Sequence, residues 1–250
     1  MMGWGVMMVS AVEFEGRRVL RDVPTMFFAL AFPPLMLLLF GAIFGNTPNK
    51  IFRVGVISAS LPAYMALVVA VTGLMSVPLT MAEYRDKGVL RRLRATPVSP
   101  GRLLGAQLLA NLGMSIIGLA LLLLCGWAAF GVPIEPDWEL FLPSLVLTFA
   151  AVYAIGFLIA SLAGNQRSAT MIANLIYFPM IFLSGASIPS ELFPPAIKDV
   201  VSVLPLTHAV DILKASWNQG QTTSWGLHVG VLAGVTVACV AVSVKAFRWG

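Results

Sequence analysis

The chain has 250 residues, of which 58% are hydrophobic and only 11% charged, with a net charge of +5 at pH 7. Soluble domains carry about twice that charged fraction, so the composition excludes an ordinary soluble globule and points to a membrane bundle. In such a chain the surplus of Lys and Arg marks the loops on the cytoplasmic side and implies no nucleic-acid partner.

The opening stretch, MMGWGVMMVSAV, is apolar but lacks the basic start of a secretory signal. Glu13, Glu15, Arg17 and Arg18 follow where a cleavage site would stand. The segment up to Arg21 is expected to be an interfacial helix, with its apolar side chains in lipid and its charges in water. Six apolar runs follow, at residues 24–45, 61–82, 103–130, 140–163, 169–188 and 225–247. Each is near the ~20 helical residues that cross the hydrocarbon core. The expected fold is an all-α polytopic membrane protein with six transmembrane helices in one domain, residues 1–250. Pro33-Pro34, Pro78 and Pro179 lie inside runs and should kink them, since neighbouring helices can satisfy the freed carbonyls. Cys125 and Cys239 sit in apolar runs far apart, without His or Cys neighbours, so neither a disulfide framework nor a metal site is indicated.

Lys and Arg fix the expected orientation. With the N-terminus inside, the inner side holds Arg17, Arg18, Arg21, six basic residues between Arg85 and Arg102, Arg167, Lys245 and Arg248. The outer side holds only Lys50, Arg53, Lys198 and Lys214. Twelve against four places both termini in the cytoplasm. Small residues at Gly41-x3-Gly45, Gly156-x3-Ala160-x3-Gly164 and Gly226-x3-Gly230-x3-Gly234 allow close helix packing.

Two connections are informative. Between the second and third runs stands EYRDKGVLRRLRATPVSPGR, in which Val89, Leu90 and Leu93 share one face of a short amphipathic helix with a basic back. Thr96-Pro97 should end that helix, and Ser99-Pro100 should start the next. Between the fifth and sixth runs, Pro195, after Pro194, opens a first short helix, Pro205 stops it, and a second runs from Thr207 to Trp217 after Leu206. Neither is long enough to span, so together they form an external hairpin.

The order E-Y-R-D-K-G-V-L…L-R-A-T-P-V-S, and later F-L-S-G-A-S-I-P…L-F-P-P…L-P-L-T-H-A-V-D, resembles the permease subunits of the type-2 family of ABC exporters, the drug-resistance branch most closely. With the N-terminal elbow helix, the resemblance covers essentially the whole chain. It implies that Glu83, Arg85, Lys87, Gly88, Leu90, Leu93, Arg94, Thr96 and Pro97 form a cytoplasmic coupling helix that meets an ATP-hydrolysing subunit. It also implies two copies of that separate ATPase, carrying Mg-ATP, and a second, identical permease in the cell membrane. The chain itself has no G-x-x-x-x-G-K-[ST] sequence and needs no cofactor of its own. Its runs carry no Asp, Glu, Lys or Arg near their centres, which argues against a proton-coupled secondary transporter.

Polar stripes run along two helices. Thr72, Ser76 and Thr80 are spaced i, i+4, i+8 on the second run, and Thr170, Asn174 and Tyr177 i, i+4, i+7 on the fifth. The resemblance places these two spans along the substrate path, with a hydrophobic or amphipathic drug, lipid or glycan-like molecule as cargo. The competing reading is that the hydroxyls bond to their own helix or tie helices together. A different class of function, an intramembrane serine protease, would need Ser187 and His228 within hydrogen-bond reach. His208 is expected at the surface.

Overall fold

The computed structural model describes residues 13, 15–18, 22–47, 55–89, 100–187, 193–194, 201–217 and 224–246. All regular elements among the described residues are helical: α1 (Val23–Phe44), α2 (Val56–Asp86), α3 (Pro100–Phe130), α4 (Trp138–Leu162), α5 (Gln166–Leu183), α6 (Pro205–Trp217) and α7 (Trp225–Ala246). Residues 13 and 15–18 are also helical, where the elbow is expected. Five helices, α1, α2, α3 from Leu103, α4 and α7, are long and apolar enough to cross a membrane.

The boundaries follow from local chemistry. Asp22 starts α1 by accepting from the backbone N–H of Thr25 at 3.3 Å and from its hydroxyl at 2.6 Å. Helix α2 begins five residues before the expected Leu61, because Asn46 Oδ1 accepts from both the N–H and the hydroxyl of Ser58, at 3.1 and 3.2 Å. Pro100 opens α3, as a proline at a first helical position should. Helix α5 is shorter than the 169–188 expected. It runs 18 residues, about 27 Å at 1.5 Å per residue, and stops at Ser184 before Gly185, whose φ of 83° only glycine adopts readily. Gln166 and Arg167 in its first turn also make it less apolar than the other five.

Prolines shape two helices by widening them. A proline lacks the N–H that would bond back one turn, and its ring crowds the carbonyl four residues earlier. Those carbonyls lie at Ala29 and Leu30 for Pro33-Pro34 and at Leu74 for Pro78. A π-helical turn sits at each place, Phe27–Ala31 in α1 and Val71–Ser76 in α2.

Helix α2 is the centre of the bundle. Of its apolar stretch 89% is buried, against 28% for α1 and 17% for α7. Helices α1 and α3 pack on one side of it, α4 and α5 on another, and α6 lies over its first half; α7 packs chiefly along α4. Outward side chains such as Leu175, Val146 and Val244 are apolar and exposed, as a lipid-facing surface requires.

Close approach of backbones sets the α2–α4 contact. A Cβ on Gly156 would lie 2.0 Å from the Gly73 carbonyl oxygen, and one on Gly73 would meet Val152 and Tyr153 below 3.0 Å. Ala160, one turn on, is fully buried. By contrast, Gly226, Gly230 and Gly234 on α7 face open space among the described residues, so that pattern does not mark a contact within the chain. Beside Gly73, Thr72 Oγ1 lies 2.6 Å from Ser115 Oγ on α3 and 3.1 Å from the Tyr153 hydroxyl on α4, which is itself 3.1 Å from Ser115. This closed triangle ties three helices in the apolar interior, at ~0.6–2 kcal/mol per interhelical bond. We expect Gly156→Ala to lower the thermal unfolding midpoint of the purified protein, reflecting a cost of about 1–3 kcal/mol of overpacking. Gly230→Ala should leave it unchanged; equal midpoints for the two variants would contradict the close α2–α4 approach.

Candidate functional site

Four consecutive residues at the end of α2 each grip a different partner. Glu83 pairs with Arg18 of the elbow and, at 2.5 Å, with Lys87. The Tyr84 hydroxyl donates to Glu15, and the Arg18 guanidinium stacks 4.6 Å above the Tyr84 ring. Arg85 turns the other way and donates to the carbonyls of Ala163 and Ala160, at the last turn of α4. Asp86 Oδ2 accepts from the Gln166 N–H at 2.8 Å, where α5 begins. Helix α5 is capped in addition by Asn165, whose side chain accepts from the Ser168 N–H at 2.8 Å. The end of α2 thus holds the elbow on one side and the α4–α5 turn on the other.

Glu15 was expected among the charges in water, but it is fully buried. Burial pushes its carboxyl above the ordinary value of 4.5, against the lowering pull of the Tyr84 hydrogen bond and of Arg18. Gly88 likewise departs from expectation: it is not part of a short helix but turns the chain at φ 65° after α2 ends at Asp86, which no side chain but glycine's absence of one tolerates well. Leu90, Leu93, Arg94, Thr96 and Pro97 lie outside the described residues.

A cavity of about 380 Å³ opens beside this cluster, between the elbow, α1, α2 and α5. Arg18, Asp22, Thr25, Glu83 and Gln166 line its polar end; Pro24, Phe28, Val71, Met75, Leu79 and Phe178 line the rest, with Thr80 and Tyr177 among them. Along α2 it extends from Glu83 to Val71, about 18 Å at 1.5 Å per residue. The π-helical turn contributes Val71 and Met75 to its wall.

The expected polar stripes divide. Thr80 and Tyr177 face the cavity; Thr72 is in the packing triangle and also bonds back to the Val68 and Val69 carbonyls. Ser76 is buried, Asn174 is half-buried, and the Thr170 hydroxyl bonds to its own Gln166 carbonyl at 2.9 Å. A third stripe, missed in the sequence, faces α2 from α3: Gln107, Asn111 and Ser115 are each fully buried. Gln107 Nε2 donates to the Val77 carbonyl at 3.1 Å. Their i, i+4, i+8 spacing is the same signal that singled out the other two.

At the opposite end, Pro205 is the first residue of α6, Leu206 is buried and the Thr207 hydroxyl donates to the Val201 carbonyl at 2.8 Å. Pro194 is exposed, and Pro195, with the rest of the first hairpin helix up to residue 200, lies outside the described residues. The protease pairing does not form. Both His228 ring nitrogens are engaged elsewhere, one by His208 at 2.7 Å and one by Ser224 at 3.5 Å, so no base is directed at Ser187. His208 is 5% exposed and not at the surface, because that bond to His228 draws it inward.

A helical bundle with outward apolar surface, five membrane-crossing helices and an amphipathic cavity at one end defines a multi-pass membrane protein. Residues 8–217 match the family described as ABC-2 type transporter, and the chain belongs to that family. Its relatives include the inner membrane transport permease YhhJ of Escherichia coli K12, 27% identical over 168 residues that make up 64% of this chain and 44% of the relative. The probable multidrug ABC transporter permease YbhR of the same organism is 24% identical over 154 residues, 62% of this chain and 42% of the relative. Nodulation protein J of Neorhizobium galegae is 25% identical over 197 residues, 76% of this chain and 73% of the relative. The chain spans less than half the length of the two Escherichia coli relatives it matches.

The buried carboxyl gives a pH-dependent test. A carboxyl with a raised folded value contributes fully below its unfolded value near 4.5 and loses that contribution as pH rises through the folded one. Glu15→Gln keeps the acceptor for Tyr84 and removes the buried charge. It should therefore unfold at a higher temperature than the parent near neutral pH, with the gap closing as pH falls toward 4.5. A gap that widens on acidification would contradict the burial of Glu15.

Proposed function

We propose that the chain is the membrane-spanning subunit of an ATP-driven exporter of hydrophobic or amphipathic molecules, with its termini and the Glu83 end of the bundle in the cytoplasm of an inner-membrane protein. The sixth span in this reading is α5, whose 18 residues cross with help from the bends that follow. Hydrolysis takes place on two copies of a separate ATPase chain, and a second, identical permease completes the passage. Family membership supports the ATPase partner, and the likeness to YbhR, a probable multidrug ABC transporter permease, supports a multidrug range of cargo. The observation that carries the reading is the shared wall: α2 and α5 line the amphipathic cavity, and the end of α2 that closes it leads directly into the segment that resembles the coupling helix.

Thr80 and Tyr177 are the substrate-contacting pair in this account. Charged and polar groups at the cavity mouth meet a polar head while Phe28, Met75, Leu79 and Phe178 hold an apolar body. Residues 90–97 dock on the ATPase through Leu90 and Leu93 and pass its motion to α2 and α3. The test is co-expression with an ABC ATPase chain from the same genome, followed by reconstitution in proteoliposomes. Leu93→Asp should abolish co-purification of the ATPase while the permease still inserts, and Tyr177→Ala should keep the complex but cut substrate-stimulated hydrolysis on the order of tenfold. In intact cells an impermeant thiol reagent should label a cysteine at Asn218 and spare one at Ser99. Full stimulation in both variants would overturn the proposal, and reversed labelling would overturn its orientation.

A further inference from the structure

The chain contains two histidines, and the structure brings them together. His208 stands in the first turns of α6 and His228 in the first turn of α7, both nearly buried. Their Nδ1 atoms are 2.7 Å apart, with ring centroids 4.9 Å apart and planes tilted by 56°. His208 Nε2 lies 2.8 Å from the Ser202 carbonyl, and Ser224 Oγ lies 3.5 Å from His228 Nε2. None of these contacts takes part in the function proposed above.

The partners dictate the proton positions. A carbonyl only accepts, so His208 Nε2 carries the hydrogen and donates to Ser202. In the neutral ring its Nδ1 is then bare and accepts from Nδ1–H of His228. That leaves His228 Nε2 bare, accepting from the Ser224 hydroxyl. The chain of donors runs in one direction, from Ser224 through both rings to Ser202. One added proton fits at His228 Nε2 if the Ser224 hydroxyl turns to accept, leaving the bond between the rings intact. A second proton puts hydrogens on both Nδ1 atoms, facing each other with no acceptor between two like charges.

We propose that His208 and His228 form a proton-operated latch joining α6 to the last helix, closed with at most one proton on the pair and opened by the second. His208 sits in the first turn of α6, where the helix dipole disfavours an imidazolium. Burial, and after it the neighbouring His228, pushes the His208 imidazole below its ordinary value of 6.5. Asp211, on the same helix, pulls the other way. Glu135, Asp137 and Glu139 at the start of α4 and Lys214 on α6 are the other charged groups at this end of the bundle among the described residues. With the folded value lowered, the latch contributes fully above the unfolded value near 6.5 and is lost as pH falls below it. The segment it holds lies at the end of the bundle opposite Glu83, so the sensed compartment is the one facing away from the coupling segment.

Because the chain has no other histidine, nitrogen-15 imidazole NMR of the full chain in nanodiscs reads the pair directly. Near pH 8, well above the ordinary histidine value, the result expected is one Nδ1–H and one Nε2–H tautomer, with two separated protonation steps on acidification. Two Nε2–H tautomers, or two rings titrating independently near 6.5, would overturn the latch. Opening is read by thiol labelling of Ala209→Cys, a fully buried position, in a background of Cys125→Ala and Cys239→Ala, relative to Val203→Cys, which is 77% exposed. The relative rate should rise about tenfold or more from pH 8 to pH 5 in the parent and stay flat with His228→Gln, which cannot take a proton. A rate equally flat in the parent, or a pH response removed by a chelator and restored by zinc, would also overturn it.

Discussion

The charged last turn of a buried helix can hold whatever packs around it, and the contacts made there by residues 83–86 organise this molecule. Helix α2 is surrounded over its apolar stretch, and the side chains of its last turn, Tyr84 buried, Glu83 and Arg85 half-buried and Asp86 exposed, take partners on the elements around it. Successive residues on an α-helix are rotated by about 100°, so four in a row point to nearly the whole circumference. Glu83 and Tyr84 meet the elbow, Arg85 meets the last carbonyls of α4, and Asp86 meets the first free N–H of α5. The last two contacts also complement helix ends, a cation on carbonyls and a carboxylate on an N–H. A displacement of α2 along or about its axis is therefore transmitted to three other elements at once.

Above that cluster the bundle is held by close fit and by hydrogen bonds that lipid cannot replace. The approach of Gly73 to Gly156 brings α4 near enough for Tyr153 to reach Thr72 and Ser115. The stripe of Gln107, Asn111 and Ser115 gives α3 its polar seam against the same helix. The π-helical turn before Pro78 falls in the same stretch, and its Val71 and Met75 line the cavity. The π-helical turn of α2 thus carries Thr72 and Gly73, its closest packing contacts, as well as part of the cavity wall.

Much of this architecture is legible in the sequence because membranes impose strong, local rules. Apolar length locates α1 to α4 and α7 within a few residues, and Pro100 marks a helix start by its missing N–H. The end of α2 stands out because charge is scarce elsewhere. Two of the failures share one cause, which is that burial of a polar group depends on a partner distant in sequence. Glu15 reads as a solvated charge until Tyr84 is placed beside it, and His208 reads as a surface residue until His228 arrives on the next helix. Thr72 and Thr80 belong to one stripe with one spacing, yet one is packing and the other lines a cavity, because the π-helical turn between them rotates the face. Gln107, Asn111 and Ser115 carried the same spacing and could have been found by it.

The central claim is that residues 83–86 couple the elbow to the α4–α5 turn. It is tested most directly by the distance between spin labels at Gly16 and Gly164, positions where an added side chain meets open space, in the protein reconstituted with the ATPase chain proposed above. The account predicts that the distance distribution shifts when ATP is added to the parent complex. It predicts also that the shift disappears when Arg85→Ala is combined with Asp86→Ala, while ATP hydrolysis continues. An unchanged distance in the parent complex, or an identical shift in the double variant, would contradict it.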